Sequence, residues 1–234
     1  MIKNIGNELN KITLDKRGVL YNLIKSYDSE VCDFLYSFDK AIQIADDILD
    51  HKLNTNYMLL VLTEFDKAMS ILSKHQGLYE TIKERYQALL QGEYEDLRFI
   101  PKSRSNEEEL LFWEKRGNRA SMVFGCLCSL DKTFDTKENW QWIKDCQFKG
   151  LIRNDCGDIL SGMFEDFVQC RRNYVALTTF DQDIYFDWRN KKDNLIEKAK
   201  HVYNKVIFYE PKDERLKAVY QEYLSLEGRN YGFL

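Results

Sequence analysis

Two short runs of oxygen-bearing side chains interrupt apolar surroundings. In AIQIADDILD, residues 41–50, Asp46, Asp47 and Asp50 break a stretch whose Ala41, Ile42, Ile44, Ala45, Ile48 and Leu49 read as the inward face of a helix. Carboxylates this close on a helix repel one another, and burial adds a desolvation cost, so positive charge must offset them. In GLIRNDCGDIL, residues 150–160, Asn154, Asp155 and Asp158 repeat the pattern, again with oxygen donors one turn apart. Enough chain separates the two runs for several helices to bring it back antiparallel. Helices facing one another across a bundle build carboxylate metal sites in this way. Donors that are all oxygen favour Mg²⁺, which keeps several waters and commonly bridges carboxylates to a substrate phosphate.

The elements that must position these groups read as helices throughout. Helical periodicity runs near 18–26, 29–51, 55–74, 77–97, 106–130, 137–170, 172–180, 190–209 and 212–227. The breaks between them fall at HKLNT, KHQG, RFIPKSRS, DKTFDTKEN and YEPKDE. Ser105 followed by acidic residues marks a helix start, and Pro101 and Pro211 sit between helices, where proline is tolerated. DIYFDW is left as irregular structure. No internal repeat or low-complexity tract is present. The expected architecture is all-α, one domain spanning residues 1–234.

Composition narrows the function. At 234 residues and 44% apolar content the chain can bury one sizeable core. A net charge of −4 argues against a nucleic-acid partner, which would need a basic face. No apolar run reaches the length of a transmembrane helix, and the N-terminal MIKNIGNELNKI lacks the apolar core of a secretory signal. The six cysteines form no CxxC pair, and only His51, His75 and His201 are available as imidazole ligands, so a zinc site is not expected. Scattered thiols suit a reducing, cytoplasmic setting. Cys126 and Cys128 are expected to pack, His51 to end a helix, and Trp140 and Trp142 to cover the core. WRNKKDNLIEKAK reads as a solvated helix face.

At this point a family resemblance becomes specific. DDILD resembles DDxxD, the first aspartate-rich motif of the trans-isoprenyl diphosphate synthases and their class I terpene-synthase relatives. KGLIRNDCGDIL resembles their second motif, GxxFQxxDDxxD, with Asn154 in place of its first aspartate. LLQGEYEDL is similar to the GQxxDL segment, and FWEKRGNRASMVFGCLCSL to the helix carrying KTAxLF, with Lys115 at the lysine and Arg116 where threonine is usual. FEDFVQCRRNYVALTTF resembles DLxxGKxTLPLxxAL and puts Arg171 at its lysine. The five blocks keep the family's order and cover most of residues 38–180. The basic RRG segment that normally follows DDxxD is replaced by HKLNTNYM, and GGKRxRP has only an echo in LDKRGVL, with Lys16 and Arg17.

The resemblance implies a pared-down helical bundle of the class I isoprenoid synthase type. It implies a prenyltransferase in which Asp46, Asp50, Asn154 and Asp158 hold Mg²⁺, three ions with bound diphosphate, the two clusters facing one another across a cavity. Lys115 and Arg171 would grip the diphosphate of an allylic prenyl substrate, while Asp47 and Asp155 would act behind the ligands. Phe38, Ala41 and Ile42, one and two turns before DDxxD, would set the depth of the prenyl pocket, Phe38 being the first large plug. Two alternatives are a terpene synthase of the same fold, which cyclises its substrate, and a non-catalytic helical subunit of a heteromeric synthase. The first lacks its NDxxSxxxE pattern, since Asp158 and Gly162 stand where serine and glutamate belong. The family often forms homodimers, which is carried over as an expectation.

Overall fold

The computed structural model describes residues 18–49, 54–97, 118–180 and 183–226. Among these residues the secondary structure is helical, with no strand. The chain divides into two compact units that interleave along the sequence. One takes in the described residues through Lys83, Val123–Asn139, and those from Pro211 onward; the other takes in Glu84–Met122 and Trp140–Glu210.

In the first unit, α1 (Gly18–Tyr27) and α2 (Ser29–Leu49) are separated by Asp28 alone. Its carboxylate accepts the backbone N–H groups of Glu30 at 2.8 Å and Val31 at 3.2 Å, capping donors that α2 leaves unpaired. Val31, Phe34, Leu35, Phe38, Ala41, Ile44 and Ile48 are buried at helical spacing, which makes one face of α2 the spine of this core. A single 3₁₀ turn (Thr55–Tyr57), capped by Asn54, leads into α3 (Met58–Leu72). Ile44 and Ile48 pack there against Tyr57, Leu60 and Val61. The α3 face that turns inward carries Glu64 beside Ala68 and Leu72; Lys40 Nζ reaches that carboxylate at 2.9 Å and Lys67 Nζ at 3.0 Å. Helix α4 (Gln76–Leu97) follows.

Helix α5 (Asn118–Leu130) is buried continuously from Ala120 to Cys128, as expected of a helix apolar on all sides. Cys126 and Cys128 are packing residues within that run. A 3₁₀ turn (Lys132–Phe134), capped by Asp131, joins α5 to α6 (Lys137–Leu160). The last described helix, α11 (Glu214–Leu226), is tied back to this turn by Arg215. Its guanidinium donates to Asp213 at 2.7 and 3.0 Å, to Asp131 at 3.0 Å and to Thr133 at 2.7 Å, and lies 3.6 Å over the Phe134 ring.

The second unit is built on α6. The sequence pattern predicts one helix over 137–170, but α6 ends at Leu160. Gly162 takes φ +79 and Phe164 φ +49, turning the chain into the one-turn helix α7 (Glu165–Val168); Cys170 at φ +52 turns it out again. The turn puts Phe164 and Phe167 into the core, where Phe164 stacks on Trp188 at 5.1 Å and Phe167 meets Tyr185 at 5.4 Å. Burial of the Phe164 ring offsets the strain of its left-handed backbone. Helix α8 (Tyr174–Thr179) follows, and the DIYFDW stretch, expected to be irregular, forms the single helical turn α9 (Ile184–Asp187). Its Ile184 and Tyr185 are buried, which supplies the stabilisation that so short a periodic signal lacks. Helix α10 (Lys192–Lys205) buries Leu195 and Ala199 and leaves its charged face in solvent, as the sequence pattern predicts. From Val206 to Pro211 the chain runs without helix along α6, where Trp142 Nε1 donates to the Tyr209 carbonyl at 2.8 Å and Arg153 lies 5.0 Å over Phe208.

Candidate functional site

The second oxygen cluster sits in the last turns of α6. Asn154 is exposed, Asp158 is half-buried and Asp155 is buried. Asn154 and Asp158 are four residues apart and share a face of α6, while Asp155 is rotated about 100° away, toward the core. Its carboxylate accepts the backbone N–H of Tyr174 at 2.6 Å, at the start of α8. Asp155 is thereby engaged in joining two elements.

The residue next to that junction is Asn173, which is fully buried. Its side-chain oxygen caps α8 by accepting from Val175 and Ala176, and its Nδ2 donates to the Asp166 carboxylate at 2.8 Å and the Asp155 carbonyl at 3.4 Å. Its own backbone N–H donates to the Tyr185 hydroxyl at 3.1 Å. Arg171 is two residues before Asn173, half-buried, with its backbone N–H on the Asp166 carbonyl at 2.7 Å. The segment carrying Arg171 and the turn carrying Asn154 and Asp158 are therefore pinned together within one unit. Sequence reasoning missed Asn173, Asp166 and Tyr185. The signal for Asn173 was present, since an asparagine directly before the apolar run YVAL is an N-cap pattern. Nothing local marked Asp166 or Tyr185, whose partners are set by the fold.

The first oxygen cluster lies in the other unit. Asp46 falls in the last turns of α2, with its side chain outside the described ones, and Asp50 lies outside the described residues. Asp47 is half-buried, and Gln43 Nε2 donates to its carboxylate at 3.3 Å. Lys115 also lies outside the described residues. Of the residues expected to floor a prenyl pocket, Phe38 and Ala41 are buried and Ile42 is half-buried. Phe38 sits in an aromatic row, 5.9 Å from Phe34 and 6.1 Å from Phe65. A cavity of about 500 Å³ opens between α2 and α3, lined by Asp33, Tyr36 and Ser37 on one side and Asp66, Lys67 and Ser70 on the other. Burial pushes the Tyr36 phenol up to about 12, so at neutral pH it is a hydrogen-bonding group and not an anion.

The donor chemistry of Asn154 and Asp158 suits a hard divalent cation, with two oxygens one turn apart on a solvent-reaching face. Among the described residues no group of three or more histidine, cysteine, aspartate or glutamate side chains could hold a metal ion. Asp46 and Asp50, the other residues expected to be metal ligands, are outside the described side chains. No described helix is long and apolar enough to cross a membrane. Comparison with known proteins finds no matching family model, no matching curated protein and no matching solved structure.

Proposed function

We propose that the chain is a Mg²⁺-dependent class I isoprenoid enzyme that ionises an allylic prenyl diphosphate and transfers the prenyl group. The observation that carries this reading is the junction in the second unit. The two segments that resemble the second aspartate-rich motif and the basic motif after it meet through Asp155, Asn173 and Tyr174. An oxygen-donor pair and a cationic residue on adjoining segments form a recognition unit for a metal-bound diphosphate.

In this reading Asn154 and Asp158 would hold Mg²⁺, which would supply positive charge against the diphosphate oxygens, and the resemblance gives Asp46 and Asp50 the same ligand role. Arg171 and Lys115 donate charge-assisted hydrogen bonds to the same oxygens and stabilise the charge that develops as the carbon–oxygen bond breaks. The electron pair of that bond leaves with diphosphate. The allylic carbon is then attacked by the π electrons of a second alkene, and loss of a proton from the adduct restores neutrality. Exclusion of water from an apolar pocket protects the cation in the interval. Phe38, Ala41 and Ile42 are assigned to that pocket. The terpene-synthase alternative draws on one observation, the absence of arginines after DDILD, since a cyclase needs no site for a second diphosphate.

The test is diphosphate release from geranyl or farnesyl diphosphate with Mg²⁺, with and without isopentenyl diphosphate, followed by product identification. An elongated prenyl diphosphate formed only with both substrates supports the transferase. A hydrocarbon or alcohol formed without isopentenyl diphosphate supports the cyclase. Absence of release from either substrate, with a folded chain, sinks both.

A further inference from the structure

We propose that Asn173 is a positioning residue that holds Arg171 in register with Asn154 and Asp158, so that the diphosphate site is assembled before ligand arrives. The inference rests on the function proposed above and adds to it a residue that touches neither metal nor substrate. The polar atoms of the Asn173 side chain bridge three segments. The carboxamide oxygen fixes the start of α8, and the amide nitrogen reaches Asp166 in α7 and the Asp155 carbonyl on α6. The Tyr185 hydroxyl on α9 holds the Asn173 backbone from the other side. Arg171 therefore stands between two anchors, its own N–H on Asp166 and the Asn173 bridge two residues on. The left-handed backbone at Cys170, immediately before it, is a conformation that a non-glycine residue keeps only when its surroundings impose it. Such a segment loses little further freedom when an anion binds, which is how preorganisation raises affinity.

Asn173→Ser separates the two functions of the side chain. Serine retains an N-cap oxygen for α8 but has no amide to reach Asp155 and Asp166. The full-length wild-type chain should bind inorganic diphosphate by calorimetry in the presence of Mg²⁺. Asn173→Ser should weaken that binding about ten-fold, with a cooperative melt retained and faster amide exchange at Tyr174. In an Arg171→Ala background the same substitution should have no further effect, because the group it positions is gone. A general loosening would instead lower affinity in both backgrounds. Unchanged affinity in Asn173→Ser, or equal losses in both backgrounds, overturns the inference while the proposed function stands. Failure of the wild type to bind diphosphate overturns the proposed function and this inference with it. Should Asn173→Ser not melt cooperatively, Asn173→Asp is read in the same cycle, since aspartate also caps but cannot donate.

Discussion

Phe38 shows how one residue can be assigned twice. The resemblance would make it the plug of a prenyl pocket, whereas its place between Phe34 and Phe65 makes it part of a packed aromatic row. The two roles predict different outcomes. As a core ring, Phe38→Ala leaves a cavity and costs about 3–5 kcal/mol, read as a lowered melting temperature. Phe38→Leu conserves most of the volume and should cost far less, so it isolates the second role. Under the proposed function Phe38→Leu lengthens the product and Ala41→Phe shortens it; unchanged chain length in both folded variants assigns Phe38 to the core alone. At the same scale, the sequence pattern groups Asn154, Asp155 and Asp158, and the resemblance places Asp155 behind the metal ligands. The contact Asp155 makes, an N–H from residue 174 brought to it by a turn that no local signal specifies, is not legible there.

At the scale of elements, most helices were legible because their apolar residues recur at helical spacing, as in α2 and α10. The misses have two physical causes. The helical spacing over 137–170 runs on through Phe164 and Phe167, but the chain buries both rings through a turn at Gly162. DIYFDW reads as irregular because one turn of helix has too few residues to show a period. Charge placement at element junctions predicts an acid response. Burial pushes the Glu64 carboxyl upward, but its hydrogen bonds from Lys40 and Lys67 outweigh this and hold it below the ordinary value of 4.5. Hydrogen bonds from Arg215 likewise hold Asp213 below its ordinary value of 3.8. A carboxylate depressed in the folded state contributes stability above its unfolded pKa and loses it as pH falls through the folded one. Melting temperature should therefore drop as pH falls below 4.5, and Arg215→Lys, which loses the forked donor geometry, should flatten part of that drop. Lys40→Met should cost about 1–3 kcal/mol at neutral pH by leaving a buried carboxylate short of a partner. An acid profile identical to wild type in Arg215→Lys would show that the Asp213 contact contributes nothing.

For the whole molecule, the distribution of thiols gives a direct test of how tightly both units close. Of the six cysteines, Cys32, Cys126, Cys128, Cys146 and Cys156 are buried and Cys170 is exposed. Burial also pushes the Cys156 thiol up to about 12 and Cys146 further still, so neither offers a thiolate at neutral pH. Ellman's reagent should find one fast thiol per native chain and six after denaturation. A second fast thiol in the native chain would show that one of these cores opens on the timescale of the reaction.

Cys170 also borders Arg171, in the turn that follows α7. The unmodified chain can therefore carry a single environment-sensitive fluorophore beside the proposed diphosphate site, with no cysteine removed or introduced. Its emission would report ligand arrival and metal dependence in real time, in a protein whose product need not be known in advance.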